Sequence, residues 1–342
     1  MEISRSRTAD FIKGLALLTM VQMVLVEYFA KPVIVNSLVG KISMFLGGPP
    51  AAPVFLAVMG YYIAHNAKSF MENIKRGIRL IALGLLVNIG RNALVLFHLT
   101  KVTAQTDTMH LLFGSDILIL AGISLITMAV IIKLLKGHVL LYLSLIIIFL
   151  LLQYVVPPVE KIYPHSLFIP LIYGKYPGSF FPFIPWFAYV LAGYSFYLFK
   201  QYFVSDQFKH SQTVKIILLS LSGLMLIGSI PFGFGVTIRP ILFYHHGILF
   251  FMFCINYMFW WLLSAHAIVN RVNNRVTHYL EYIGKNVTVF YIIFMILAGN
   301  LALWLHGSLN YLQLAYWFVG LLIITSLLVW LWDSVGKNKI AV

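Results

Sequence analysis

Glu27, the tandem His245-His246, and Asp10 with Lys13 three residues on can move a proton or meet an anion, and each interrupts a run of apolar residues. A carboxylate or imidazole in apolar surroundings can act as a general base toward a hydroxyl or amine, and a lysine near a helix start can meet a phosphate. Each has a plainer reading too. Glu27 can be a solvated helix end, one histidine can be hydrogen-bonded while the other faces lipid, and Asp10 and Lys13 can form a local ion pair one helical turn apart. Arg91, flanked by Asn88 and Asn92, and Asp116 make a second group. Charges inside apolar segments pair with each other or orient a substrate, and Asn88 and Asn92 at i and i+4 give one helix a polar face that can also join helices. The only cysteine, Cys254, excludes a disulfide framework and a Cys-x-x-Cys metal site, so no metal is expected.

The frame that must hold these groups is set by composition. Of 342 residues, 61% are hydrophobic and 10% charged, and a mean hydropathy of +0.91 means more apolar surface than a water-soluble fold can hide. The chain reads as an all-α polytopic membrane protein, one integral-membrane domain over 1–342. Apolar windows long enough for a bilayer fall at roughly 9–29, 44–65, 77–99, 111–132, 138–156, 180–199, 214–235, 241–263, 283–305 and 309–332, a bundle of about ten transmembrane helices. The second is expected to become helical only at Pro49 or Pro50, after the Gly47-Gly48 break. Asp10 and Lys13 interrupt the first run and no small-x-small cleavage site follows it, so it is a span and not a signal peptide.

There are 24 Lys and Arg against 10 Asp and Glu, a formal charge of +14. These basic residues lie in short stretches between apolar runs, where they act as topology signals beside anionic headgroups and not as a nucleic-acid surface. Counted by alternate side they divide 17 to 6, with Arg91 left inside a span, which predicts cytoplasmic termini. That orientation puts Glu27, Arg91, Asp116 with His110 ahead of it, and the histidine pair behind Arg239 in the outer half of the membrane. The longest outer loop, about 157–179, could border an opening there.

Several segments, in order along the chain, resemble a known group. Asp10-Phe11-Ile12-Lys13-Gly14-Leu15-Ala16 is similar to the first-span signature of the acyltransferase-3 superfamily. The series continues with Ala52 to Tyr61, Lys75-Arg76-Gly77-Ile78-Arg79, Leu85-Leu86-Val87-Asn88, and Asp116-Ile117-Leu118 with Ala121-Gly122. It ends with Pro182-Phe183-Ile184-Pro185-Trp186 with Ala192-Gly193, and Ile283 to Tyr291. The nearest resemblance is to the heparan-alpha-glucosaminide N-acetyltransferase catalytic-domain branch.

The resemblance implies a membrane bundle that moves an acyl group, commonly acetyl, from cytoplasmic acyl-CoA to a sugar hydroxyl or amine on the outer side. The donor is a substrate, with no resident cofactor, and a bacterial cytoplasmic membrane is the expected location. On this reading Glu27, His245 and His246 are the acid/base candidates. Lys13 meets the donor, and Arg91, Asp116, Trp186 and Arg239 shape the substrate site. One position departs from the pattern: the superfamily pairs its first-span basic residue with a histidine after ten intervening positions, and counting from Lys13 reaches Val24. Valine neither takes a proton nor carries an acyl group. The alternative is therefore a catalytically inactive relative that binds or transports a small amphiphile through the same cavity.

Overall fold

A computed structural model of the chain describes residues 6–99, 112–155, 169–173, 179–203 and 211–336. Expectations for His110 and for most of the 157–179 loop lie outside these residues. The regular structure of the described part is helical, with one isolated bridge between Ala30 and Leu309. The principal helices are α1 (Arg7–Phe29), α2 (Leu38–Gly47), α3 (Ala51–Asn66), α4 (Phe70–Arg91), α5 (Ile117–Leu135), α6 (Val139–Val155), α7 (Phe183–Tyr202), α8 (Gln212–Thr237), α9 (Ile248–Arg271), α10 (Arg275–Lys285), α11 (Val287–Leu305) and α12 (Tyr311–Gly336).

Every expected window contains helix, but seven stretches among the described residues are long and apolar enough to cross a membrane: α1, α2 with α3, α5, α8, α9, α11 and α12. The apolar α6 is shorter. Charged residues crowd the first half of α4, where Glu72, Lys75, Arg76 and Arg79 precede its apolar portion. Its start is fixed by a capping box. Ser69 accepts from the Glu72 amide and Glu72 from the Ser69 amide, and hydrogen bonds from the Ser69 hydroxyl and then its amide hold the Glu72 carboxyl below the ordinary range.

Three boundaries differ from expectation, each at a break that repositions polar groups. The second window is already helical before the Gly47-Gly48 break, because Ser37 caps α2, and the chain resumes at α3 after Pro49-Pro50. In the fourth window α5 begins at Ile117, so Asp116 is its N-cap and not a residue one or two turns inside. In the eighth window a short helix, Pro240–Tyr244, stops before α9, and His245 and His246 occupy the gap.

Helix crossings bring the polar ends together. α1 packs on α10 where Gly14 meets the Leu280 carbonyl and Gly284 the Asp10 carbonyl, an approach with no room for a Cβ on either side. α3 and α7 cross in the same way at Gly60 and Gly193. Small residues at such crossings let backbones approach closely enough for dispersion to hold helices together inside a membrane.

Candidate functional site

At the end of α1 farther from Lys13, the helices enclose a cavity of about 110 Å³. α1 contributes Val24, Glu27 and Tyr28, the α2–α3 break contributes Gly47 and Gly48, and α4 contributes its last residue, Arg91. Ser115 and Asp116 come from the start of α5, Phe243 and Tyr244 from the short helix before α9, and Tyr291 from α11. Breaks in four of these elements turn backbone and side chains toward one chamber.

Arg91 is placed by the end of its own helix. The α4 hydrogen-bond ladder stops at Asn92, and Asn300 of α11 bridges the break, donating to the Gly90 carbonyl at 2.7 Å and accepting from the Leu94 amide at 3.0 Å. Arg91 then reaches Asp116 at 3.7 Å, with their side chains 13% and 2% exposed. Asp116 also accepts from the Leu118 amide at 2.8 Å and from the Tyr291 hydroxyl at 2.6 Å. With two hydrogen-bond donors and the ion pair on its two oxygens, this carboxylate is suited to holding the guanidinium in place, which leaves Arg91 with N–H groups to offer. Asn88 serves the same wall by donating to the Leu112 and Gly114 carbonyls, both at 3.0 Å, and so fixes the approach to Asp116.

Glu27 enters the cavity from α1. Among the described residues it takes no hydrogen-bond or ion-pair partner, in contrast with Asp116. Tyr28 and Tyr244 lie close enough to feel its charge. The chamber therefore has, among the described residues, one fully engaged carboxylate and one available one. Val24 lines it one turn before Glu27. No group of three or more His, Cys, Asp or Glu comes together to hold a metal ion among the described residues.

Four expected site residues stand elsewhere in the site's surroundings. Trp186 is fully buried and donates Nε1–H to the Tyr244 carbonyl at 2.8 Å. His246 is held at both ring nitrogens, Nδ1 to the Phe243 carbonyl and Nε2 to the Tyr189 hydroxyl, each at 2.8 Å. Both residues thus grip the short helix whose Phe243 and Tyr244 line the cavity, from behind it. His245 ends that helix and Arg239 is its exposed N-cap; neither lines the chamber.

Lys13 is buried near the other end of α1 and pairs with Asp10 at 2.7 Å. Val24 follows it after about 16 Å along the axis and close to three full turns, so both project from one face of α1.

Tyr291, Tyr28, Tyr244 and Ser115 are cavity residues that charge-based reading of the sequence passes over. Tyr291 does end the last segment of the family resemblance, its only sequence-level sign.

Among the described residues, a helical bundle with apolar helices long enough to cross a membrane, holding a buried arginine–carboxylate pair and a carboxylate without a partner in one small cavity, defines the class of protein. The family described as heparan-alpha-glucosaminide N-acetyltransferase, catalytic, matches residues 5–232, and the chain belongs to that family of membrane acetyltransferases. No curated protein and no solved structure matches it.

Proposed function

We propose that this chain is an acyl-CoA-dependent membrane acyltransferase that delivers an acyl group, acetyl by family, to a sugar hydroxyl or amine. The observation that carries this reading is the pairing in one chamber of an unengaged Glu27 with Arg91 held by Asp116. Glu27 takes the proton of the acceptor hydroxyl or amine while the acceptor oxygen or nitrogen bonds to the thioester carbonyl carbon. Arg91 offers N–H groups to the oxygen that gains charge. Collapse breaks the C–S bond and releases CoA as its thiolate, which takes up the proton. At about 110 Å³ the chamber is well below the several hundred Å³ of a site that engulfs a whole ligand, so it suits the reacting ends of donor and acceptor.

Further parts of the proposal follow from charge and helix geometry. Over the ten apolar windows, the 17 to 6 asymmetry supports cytoplasmic termini, placing Lys13 on the donor side and the chamber toward the acceptor side; the location that goes with the resemblance is a bacterial cytoplasmic membrane. Lys13, Val24 and Glu27 along one face of α1 mark the path between them, with Lys13 toward the donor's phosphates. Trp186 and His246 act as positioning residues behind Phe243 and Tyr244, while Arg239 and His245 border the acceptor's approach.

A second reading rests on Val24, an inert side chain in the cavity wall at the histidine position of the superfamily. It makes the protein a binder or transporter of a small amphiphile. Purified protein in liposomes, given radiolabelled acetyl-CoA with a panel of amino sugars, separates the two. Transferred label supports the transferase; measurable binding without transfer or CoA release supports the second reading.

A further inference from the structure

α9 has the histidine break at one end and a second cavity at the other, far from the transfer chamber. This cavity, about 430 Å³, lies between the first two turns of α8 and the last two of α9. Both helices show the same gradient along its wall. From its terminus inward, α8 presents Gln212, Lys215, Ile216 and Leu219; from its terminus inward, α9 presents Arg271, Asn270, His266 and then Leu263. Polar and basic groups form the rim, and aliphatic side chains form the floor.

Among the described residues, the lining holds two permanent cations and no carboxylate. Lys215 Nζ lies 3.5 Å from His266 Nε2, and the Asn270 amide approaches the same nitrogen at 3.1 Å. This arrangement suits a neutral His266 that accepts at Nε2 and orients Lys215. The ammonium keeps further N–H donors for a ligand. Arg271 is exposed and in no ion pair among the described residues.

Beyond the rim, α8 turns most of its length outward, with Ile216 59%, Leu221 54% and Leu224 68% exposed. A ligand with an anionic head on the rim would lay an apolar tail along this surface.

We propose that this cavity is a binding site for the phosphate of an anionic phospholipid, the headgroup on Lys215, Asn270 and Arg271 and an acyl chain over Ile216 and Leu219. Basic pockets between membrane helices suit such headgroups, each basic residue contributing about fivefold in affinity.

The test uses the full-length protein in mixed micelles, with phosphatidylglycerol and phosphatidylcholine competing for retention in native mass spectrometry. Wild type is expected to retain phosphatidylglycerol preferentially. Lys215→Gln and Arg271→Gln should each weaken that preference about fivefold, whereas Lys75→Gln/Arg79→Gln, which removes two basic residues elsewhere, should leave it intact. Parallel arms supply inorganic phosphate and CoA. If these raise the thermal stability of wild type but not of Lys215→Gln, and phosphatidylglycerol has no advantage, the site serves a soluble phosphate and the proposal fails. Equal retention by wild type and both single variants also overturns it. A diazirine-bearing phosphatidylglycerol gives a readout on wild type alone, should the variants misfold. Crosslinks within 212–219 or 263–271 support the site, and crosslinks confined to other segments overturn it.

Discussion

Tyr291 donates its phenolic hydrogen to the Asp116 carboxylate at 2.6 Å, joining α11 to the residue that caps α5 across 175 positions of chain. The same carboxylate holds Arg91, so three helices, α4, α5 and α11, depend on one buried acceptor. Asp116→Asn leaves the guanidinium without its counter-charge and should cost about 3–5 kcal/mol. Tyr291→Phe removes one donor and should cost about 1–3 kcal/mol. Thermal unfolding in detergent measures both. The Arg91→Gln/Asp116→Asn double variant should lose less than its two single losses combined, as a coupled pair requires.

The crossing of α1 and α10 makes a sharper stability prediction. A methyl group on Gly284 would meet the Asp10 carbonyl, and one on Gly14 the Leu280 carbonyl. Backbone cannot move aside as a flexible side chain can, so Gly284→Ala should destabilise by about 1–3 kcal/mol or more. A methyl group on Gly228 in α8 would meet no atom within 4 Å, and Gly228→Ala should be neutral or stabilising by about 0.5–1 kcal/mol through helix propensity. Opposite signs for one chemical change, read from melting temperatures, would tie the cost to the crossing.

Topology is tested without chemistry. Reporter fusions at the C-terminus and within 157–179 should sit on opposite sides of the membrane if ten spans and the basic-residue asymmetry both hold. The same side for both means an odd error in the number of spans between them.

What the sequence makes legible is governed by range. Arg91 and Asp116 are close in sequence and flank one connection between adjacent antiparallel helices, so depth alone brings them together. Tyr291 is one of 19 tyrosines, and its partner lies on a helix far away in the chain, which periodicity does not reveal.

Local breaks account for the other differences. The Gly47-Gly48 break shows in the sequence, but not that Ser37 caps a helix ahead of it. His245 and His246 look like the start of a span, yet the stop at Tyr244 turns His246 into the packing behind the cavity. The glycines of the resembling segments, Gly14, Gly60, Gly77, Gly122, Gly193 and Gly284, have a clear physical role only in three dimensions. They meet as three helix crossings, Gly14 with Gly284, Gly60 with Gly193, and Gly77 with Gly122. In one dimension they are scattered small residues.

The last prediction concerns Glu27 and Val24 together, since they project one turn apart from the same face of α1 into the same cavity. A positioned general base contributes about 10²–10⁴-fold to a transfer rate, so Glu27→Gln should reduce acetyl transfer by that order. Because Glu27 has no partner to lose among the described residues, the variant's unfolding temperature should stay near that of wild type. His246→Ala, by contrast, should lower stability and activity together, because it frees the Phe243 carbonyl and the Tyr189 hydroxyl in a buried place. Val24→His would place a second proton acceptor in the wall. In an active enzyme relying on Glu27, that variant combined with Glu27→Gln should recover part of the lost rate. If wild type transfers nothing and Val24→His alone gains transfer, the chamber has kept the family's architecture without its chemistry, and the binding reading takes precedence.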